Sequence, residues 1–137
     1  MFILFFILIG FSSVYSQSQI EQEVVPPYNI KAVSFHQRDS VATPFFRLGE
    51  TFTLQFDDTR AENKRYRFQL ILCNADWTTS NLADIEYIQG FSEDRIGDPE
   101  LSLGVSSNYN NYQTTFPNQN IKITKSGNYV MQVFEDN

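Results

Sequence analysis

The stretch that decides the fold is residues 65–91, which read RYRFQLILCNADWTTSNLADIEYIQGF. Over residues 65–72 polar and apolar side chains alternate at the start, which is the period of a half-buried β-strand. The polar residues within 74–81 break this pairing, because their short side chains hydrogen-bond to their own backbone. A second strand is predicted over residues 84–89. Between the two strands, Trp77 is expected to be a buried packing residue that closes one end of the fold.

The rest of the chain repeats this pattern of short strands and turns. Strands are predicted over residues 29–37, 51–57, 101–105, 112–116, 121–123 and 129–135, with a loop over 92–99. No convincing helical period is present. This spacing predicts an all-β fold, an antiparallel sandwich.

The end of the chain makes that fold more specific. Residues 126–131 read SGNYVM, the layout of the tyrosine corner of immunoglobulin domains, in which a tyrosine at the start of the penultimate strand bonds back upstream. Met131 stands where an antibody domain would have its second cysteine. We therefore predict an immunoglobulin-like antiparallel β-sandwich that lacks its last strand, with an open edge that invites pairing with another chain.

The N-terminal residues predict export. Residues 1–11 are almost entirely apolar, too short a run to span a bilayer but suited to a secretory signal, with cleavage expected between Ser16 and Gln17. The alternative is a buried N-terminal strand. The predicted organisation is a signal peptide over 1–16, a polar extended lead-in over 17–27 and the sandwich domain over 28–137. No direct membrane insertion of the mature chain is expected.

Charge and cysteine content narrow the possible functions. The 137 residues carry a net charge of −6, which argues against binding of nucleic acid. The basic cluster Lys64, Arg65 and Arg67 is explained by a solvated strand face. Cys73, the single cysteine, is predicted to be a buried small hydrophobe, and a reactive or intermolecular thiol is the alternative.

An acidic run in the middle of the chain is a possible partner face. It comprises Asp84, Glu86, Glu93, Asp94 and Asp98, with Arg95 as the one cation inside that span. Such a run is either a contact surface for a basic partner or a merely solvated surface.

The chemistry of an enzyme is not visible in the sequence. His36 is the only histidine, and there is no Gly-x-Ser-x-Gly elbow, no Cys or His cluster for zinc and no Gly-rich phosphate loop. The Asp57-Asp58 pair could suggest a metal or acid-base site, but turn chemistry is the favoured interpretation. The chain is predicted to be no enzyme, without a cofactor, a metal or a small-molecule substrate.

Several spaced motifs, in order, resemble one known family. The segments are 54–58 (LQFDD), 73–77 (CNADW), 86–91 (EYIQGF), 116–118 (FPN) and 126–129 (SGNY). From about residue 30 to the end, the chain resembles the N-terminal domain of the type IX secretion system plug protein family. The motif residues, mainly structural, are Cys73, Asp76, Trp77, Glu86, Tyr87, Gly90, Phe91, Gly127 and Tyr129.

The resemblance implies a function without bond chemistry. Members of that family are expected to lie in the periplasm, at the inner side of the outer membrane, and to occlude the β-barrel translocon of the secretion system, which would be the protein partner. The alternative is an exported carbohydrate-binding or adhesive β-sandwich, in which Trp77, Tyr87 or Tyr109 would be exposed to stack on sugar rings.

Overall fold

The computed structural model describes residues 2–9, 26–37, 40–41, 45–60, 62–102 and 108–136. These residues form twelve strands and one short 3-10 helix, Asp84–Glu86. The strands are β1 (Phe2–Ile9), β2 (Ile30–Gln37), β3 (Ser40–Val41), β4 (Phe45–Arg47), β5 (Phe52–Asp58), β6 (Tyr66–Cys73), β7 (Ile88–Gly90), β8 (Glu93–Arg95), β9 (Glu100–Leu101), β10 (Asn110–Phe116), β11 (Ile121–Ile123) and β12 (Asn128–Glu135).

Two five-stranded sheets pack as a sandwich. Their strand orders are β4-β1-β12-β6-β8 and β3-β2-β5-β10-β9, and β7 pairs with β11 in a small separate sheet. The β2-β5-β10-β9 series matches the A-B-E-D sheet of an immunoglobulin domain, and β12-β6-β8 matches the F-C side of the opposite sheet. The predicted immunoglobulin-like β-sandwich is confirmed.

The core follows from the alternation in the sequence. Along β5, Phe52, Leu54 and Phe56 are buried while the residues between them are mostly half-buried. They face the buried side of β6, including Phe68 and Leu70. Aromatic rings fill the space between the sheets, in one group around Phe52 (Phe35, Phe46, Phe116) and another around Phe56 (Tyr66, Tyr112).

Two parts of the predicted strand map are wrong. Residues 84–86 form the 3-10 helix instead of the first half of a strand, and β7 begins only at Ile88 and pairs with β11. The cause is local: the Glu86 carboxylate accepts a hydrogen bond from the Ala83 N–H at 2.9 Å, which favours a helical turn. The predicted loop over 92–99 contains β8, which adds to the edge of β6. Of the predicted strand over 101–105, residues 103–107 lie outside the described residues.

The N-terminal segment forms strand β1, which lies between β4 and β12 in the first sheet. It runs parallel to β12 and antiparallel to β4. With this segment attached, the edge of β12 that we expected to be open is therefore covered. Cleavage between Ser16 and Gln17 stays a prediction, since both residues lie outside the described ones. The described part of the chain contains no helix long and apolar enough to cross a membrane.

Candidate functional site

The tyrosine corner anchors the end of the sandwich that carries the candidate surface. The Tyr129 side chain is fully buried, and its hydroxyl donates to the Lys125 carbonyl at 2.8 Å, as the sequence predicted. Burial raises the pKa of Tyr129 above its ordinary value. Gly127 precedes this corner, and a Cβ there would lie 2.7 Å from Leu72 Cδ1, so a larger residue would require the Leu72 side chain to shift. Met131, two residues after the tyrosine, is fully buried in the core.

Tyr87 fastens the 3-10 helix to this corner. Its ring is buried and lies 5.9 Å from the ring of Tyr129 between centroids. Its hydroxyl donates to the Asp84 carboxylate at 2.6 Å, and its carbonyl accepts the N–H of Thr124 at 2.9 Å. Burial, followed by the bond to Asp84, raises the pKa of Tyr87 to about 12. Tyr87, the residue that follows the helix, is thus held through both its side chain and its backbone.

Gly90 fixes the other end of the segment. Its φ angle is +107°, and a Cβ built there would lie 2.0 Å from the Asn120 carbonyl oxygen. Only glycine accepts both this backbone conformation and this approach. The next N–H, that of Phe91, donates to the same carbonyl at 2.9 Å. The chain is therefore held in place where Phe91 leaves the small sheet.

These anchors hold two large apolar side chains in water. Ile85 is 87% exposed and Phe91 is 66% exposed. Ile85 lines a groove of about 680 Å³, and Phe91 lies in sequence between two further lining residues, Gly90 and Ser92. We call Ile85, Phe91 and this groove the apolar surface. Large exposed apolar side chains are candidates for contact with another protein.

The five predicted acidic residues do not form one set of free charges. Asp84 and Glu86 are exposed on the 3-10 helix, next to the apolar surface, and bond within their own turn. Glu93 pairs with Arg67 at 3.3 Å, and Asp98 pairs with Arg95. Asp94 accepts from the side chains of Asn118 and Asn120 at 2.9 and 3.1 Å, which ties β8 to the loop before β11.

Trp77 does not have the core position expected of it. It is partly buried, lies outside the cluster of buried core residues, and has a φ angle of +64° in a tight turn. The turn depends on its neighbours: the Asn74 carbonyl accepts the Trp77 N–H at 3.0 Å, and Asp76 accepts from the N–H and hydroxyl of Thr78 at 3.1 and 2.6 Å. Those bonds lower the pKa of Asp76. Trp77 therefore shapes a turn at the surface.

Cys73 has the environment that the sequence predicted. It is 6% exposed, and burial raises the pKa of its thiol. A raised pKa lowers the thiolate fraction and with it the reactivity. The cysteine acts as a small hydrophobe at the end of β6.

Asp58 makes the predicted turn bond, accepting the Arg60 N–H at 3.0 Å, and is also the centre of a buried network. Asp58 is fully buried and accepts from the side chains of Asn29, Tyr66 and Arg60 at 3.0, 2.8 and 3.0 Å. Arg60 also reaches Glu135 at 3.4 Å. Among the described residues, no group of three or more His, Cys, Asp and Glu side chains could hold a metal ion.

His36 is partly buried in β2, with its Nε2 atom 2.9 Å from the Ser34 hydroxyl oxygen.

The three aromatic residues named for carbohydrate binding differ in exposure. Tyr87 is 4% exposed, so its ring is closed to a sugar. Trp77 and Tyr109 are partly buried. Carbohydrate binding therefore loses one of its three candidate residues, Tyr87.

Sequence reasoning missed the apolar surface. The alternation over residues 84–89 placed Ile85 and Tyr87 on one strand face, whereas the helical turn sends Ile85 to solvent and Tyr87 to the core. A glutamate three residues after Ala83 was a signal for this turn, because such a glutamate can cap a helix start. Phe91 was named as a motif residue, but its exposure has no signature in the sequence.

Comparisons with known proteins agree with this geometry. A family model described as "Type 9 secretion system plug protein 1st domain" matches residues 30–137. A crystal structure of a hypothetical protein from Parabacteroides merdae is similar, with a TM-score of 0.73 and 31% sequence identity. The similarity covers 80% of this chain and 28% of that one, so this chain spans less than a third of that protein. Comparison with curated proteins gives no match.

Proposed function

Because the chain belongs to the type 9 secretion system plug protein family, we propose that it is a stopper for the outer-membrane translocon of that system. A role associated with type IX secretion follows from the family itself. The finer proposal is that the domain lies in the periplasm, at the inner side of the outer membrane, and occludes the mouth of the β-barrel translocon. The observation that carries the proposal is the family match over residues 30–137.

The proposed mechanism is steric and needs no bond chemistry. A wide barrel leaks solutes unless something closes it, and a packed sandwich is a rigid body that can do so. No catalytic residues or cofactor are required, and we propose that the protein is not an enzyme. Release would follow when another ligand competes for the same contact, since such a ligand changes the bound population by its own affinity.

We assign the contact with the translocon to the apolar surface. Ile85 and Phe91 offer the exposed apolar area that hot spots of protein interfaces use. The carboxylates of Asp84 and Glu86 stand beside Ile85 on the same helix and would form the rim. Rim charges mainly steer association, so basic residues on the partner would be the matching chemistry.

Binding kinetics with the isolated translocon test this assignment. The full-length protein would be compared with Ile85→Ser and Phe91→Ser, which remove exposed apolar area without touching the core. We expect each to weaken binding by about tenfold or more, the usual effect at a hot spot. Tyr28→Ser is the matched control because Tyr28 is 84% exposed and is not part of the apolar surface. Equal binding of all four proteins would reject this surface.

The acidic residues have a separate readout. Replacing Asp84, Glu86, Glu93, Asp94 and Asp98 by Asn or Gln should slow association and flatten its salt dependence. Because Glu93 and Asp98 are neutralised by Arg67 and Arg95, whereas Asp84, Glu86 and Asp94 bond to uncharged groups, we expect the latter three to carry most of the effect. Identical association kinetics of the variant and the unchanged protein would show that these five acidic residues are merely a solvated surface.

A further inference from the structure

Another pocket, of about 280 Å³, lies where the turn after β4 meets the end of β10 and strand β11. Its lining includes three buried rings, Phe46, Phe52 and Phe116, which form its floor. The ring of Phe52 lies 4.3 Å from that of Phe46 and 5.4 Å from that of Phe116 between centroids. Because all three rings belong to the core cluster, the floor of this aromatic pocket is fixed before any ligand arrives.

The apolar lining of the aromatic pocket continues to the protein surface. Pro117 and Ile123 are partly buried, and Leu48 is 44% exposed. Sites for small molecules usually have volumes of about 300 to 1,000 Å³. A pocket just below this range has room for one large apolar side chain but not for a drug-sized molecule.

The turn that carries Leu48 is held in one conformation. The Arg47 N–H donates to the Glu50 carboxylate at 2.9 Å, and the Glu50 N–H donates to the Arg47 carbonyl at 2.9 Å. Gly49 has a φ angle of +90°, which glycine adopts without strain. This side of the pocket is therefore organised in advance, which lowers the entropy cost of binding.

Two cations stand at the rim of the aromatic pocket. Arg47 and Lys122 both line it, and both are exposed. Within the part of the chain that the structure describes, neither of them forms an ion pair. Glu50 is the carboxylate in the lining, and it accepts the Arg47 N–H. The rim thus carries a net positive charge on a protein whose own net charge is −6.

We propose that the aromatic pocket binds an acidic segment of another protein, which places one large apolar side chain in the pocket and carboxylates against Arg47 and Lys122. An apolar anchor in a preformed pocket supplies much of the energy of a protein contact. Charge-assisted hydrogen bonds to the two cations would select acidic neighbours of that anchor. The apolar surface has Asp84 and Glu86 at its rim, so the two surfaces fit partners of opposite charge.

Peptide binding to the full chain tests this ligand class. The probe is a capped pentapeptide with a central phenylalanine and two glutamates on each side, and binding is followed by NMR. We expect saturable binding with a dissociation constant below about 1 mM, which shifts the methyl signals of Ile123 but not those of Ile85. A peptide with serine at the centre should bind at least about tenfold more weakly. No saturable binding up to about 1 mM, or equal binding of the serine peptide, would overturn the proposal.

A small anion distinguishes a protein segment from a free ligand. The compound 3-phenylpropionate carries the same ring and a single carboxylate, and we expect it to bind at least about tenfold more weakly than the probe, because it reaches fewer of the rim contacts. Equal affinity of the two would overturn the protein partner and assign the pocket to small apolar anions.

Variants of the rim locate the peptide. Leu48→Ser and Lys122→Gln should each weaken binding of the probe by about threefold or more, and the effect of Lys122→Gln should shrink in about 1 M salt. The matched controls are Leu101→Ser and Lys125→Gln, because both residues are exposed and neither lines the pocket. Equal binding by all four variants would place the peptide elsewhere and overturn the proposal.

Charge reversal gives a test by gained binding. In Lys122→Glu the rim becomes acidic, so a peptide with lysines in place of the glutamates should bind this variant better than the original probe does. Lys122 is exposed, and the circular dichroism spectrum of the variant would confirm that it folds. A folded variant that keeps the preference for the acidic peptide would contradict the role of the basic rim.

Discussion

Asp58 gives the stability prediction that the structure defines best. Its carboxylate has no exposure to water and accepts hydrogen bonds from Asn29, Tyr66 and Arg60. In Asp58→Asn the side chain keeps its size, but its amide N–H group faces the donors of Arg60, which keeps only Glu135, at 3.4 Å, as a charged partner. We expect the free energy of unfolding at pH 7 to fall by about 3 kcal/mol, the low end for breaking a buried pair. The low end applies because the Arg60 side chain is 28% exposed.

The same group predicts how this loss depends on pH. Burial raises the pKa of Asp58, but hydrogen bonds from Arg60, Asn29 and Tyr66 outweigh burial and hold the pKa below its ordinary value of 3.8. A carboxylate with a lowered pKa stabilises the fold above its unfolded pKa, and this contribution disappears as the pH falls through the folded pKa. The difference in free energy of unfolding between Asp58→Asn and the unchanged protein should therefore have its full size at pH 7 and shrink below about pH 4.

Urea unfolding at pH 7 and pH 2.5 measures both effects. The matched control is Asp57→Asn, because the neighbouring carboxylate has one side-chain partner, Asn111 at 2.6 Å, and lies partly in water. That variant should lose less than about 1 kcal/mol. A loss in Asp58→Asn that is equal at the two pH values, or as small as in the control, would refute the reasoning.

Three further variants test local features. Gly90→Ala should destabilise the fold by about 3 kcal/mol or more in urea unfolding, because it combines a strained φ angle with a clash at the Asn120 carbonyl; an unchanged midpoint would contradict the close approach. Trp77→Ala should cost about 1 to 2 kcal/mol, as expected for a partly buried ring, and a cost of about 3 to 5 kcal/mol would restore the core role first predicted. Cys73 in the folded chain should react with iodoacetamide at least about tenfold more slowly than in urea, because burial raises its pKa; equal rates would reveal an accessible thiol.

Strong alternation explains why most of the sandwich could be predicted. β5 and most of β6 have one face in the core, and a half-buried strand imposes a period of two on its sequence. The tyrosine corner was predictable for a different reason. Its hydrogen bond joins residues four apart, so the whole motif lies in a short local sequence.

The alternation of polar and apolar residues mispredicts the structure where other interactions determine it. Residues 84–89 alternate like a strand, but the bond from the Ala83 N–H to Glu86 selects a helical turn. β8 was missed because it is an edge strand whose residues, Glu93–Arg95, are polar on both faces. The pairing of β1 with β12 joins residues more than a hundred positions apart, and no local pattern records it.

The candidate surface was predictable only in part. The acidic residues were visible, but their partners Arg67, Asn118 and Asn120 come from other elements. Whether an apolar side chain is exposed depends on what packs beside it, and Ile85 and Tyr87 differ in this although both are large and apolar. Tertiary contacts with Tyr129 settle that difference.

Ion conductance through the translocon tests the proposed function most directly. The isolated translocon would be placed in a planar lipid bilayer, and the full-length protein added to the side that corresponds to the periplasm. We expect the current to fall to the background of the bare bilayer, with Phe91→Ser requiring a higher concentration and Tyr28→Ser acting like the unchanged protein. A current that persists while the protein is bound to the translocon would contradict occlusion by this family member.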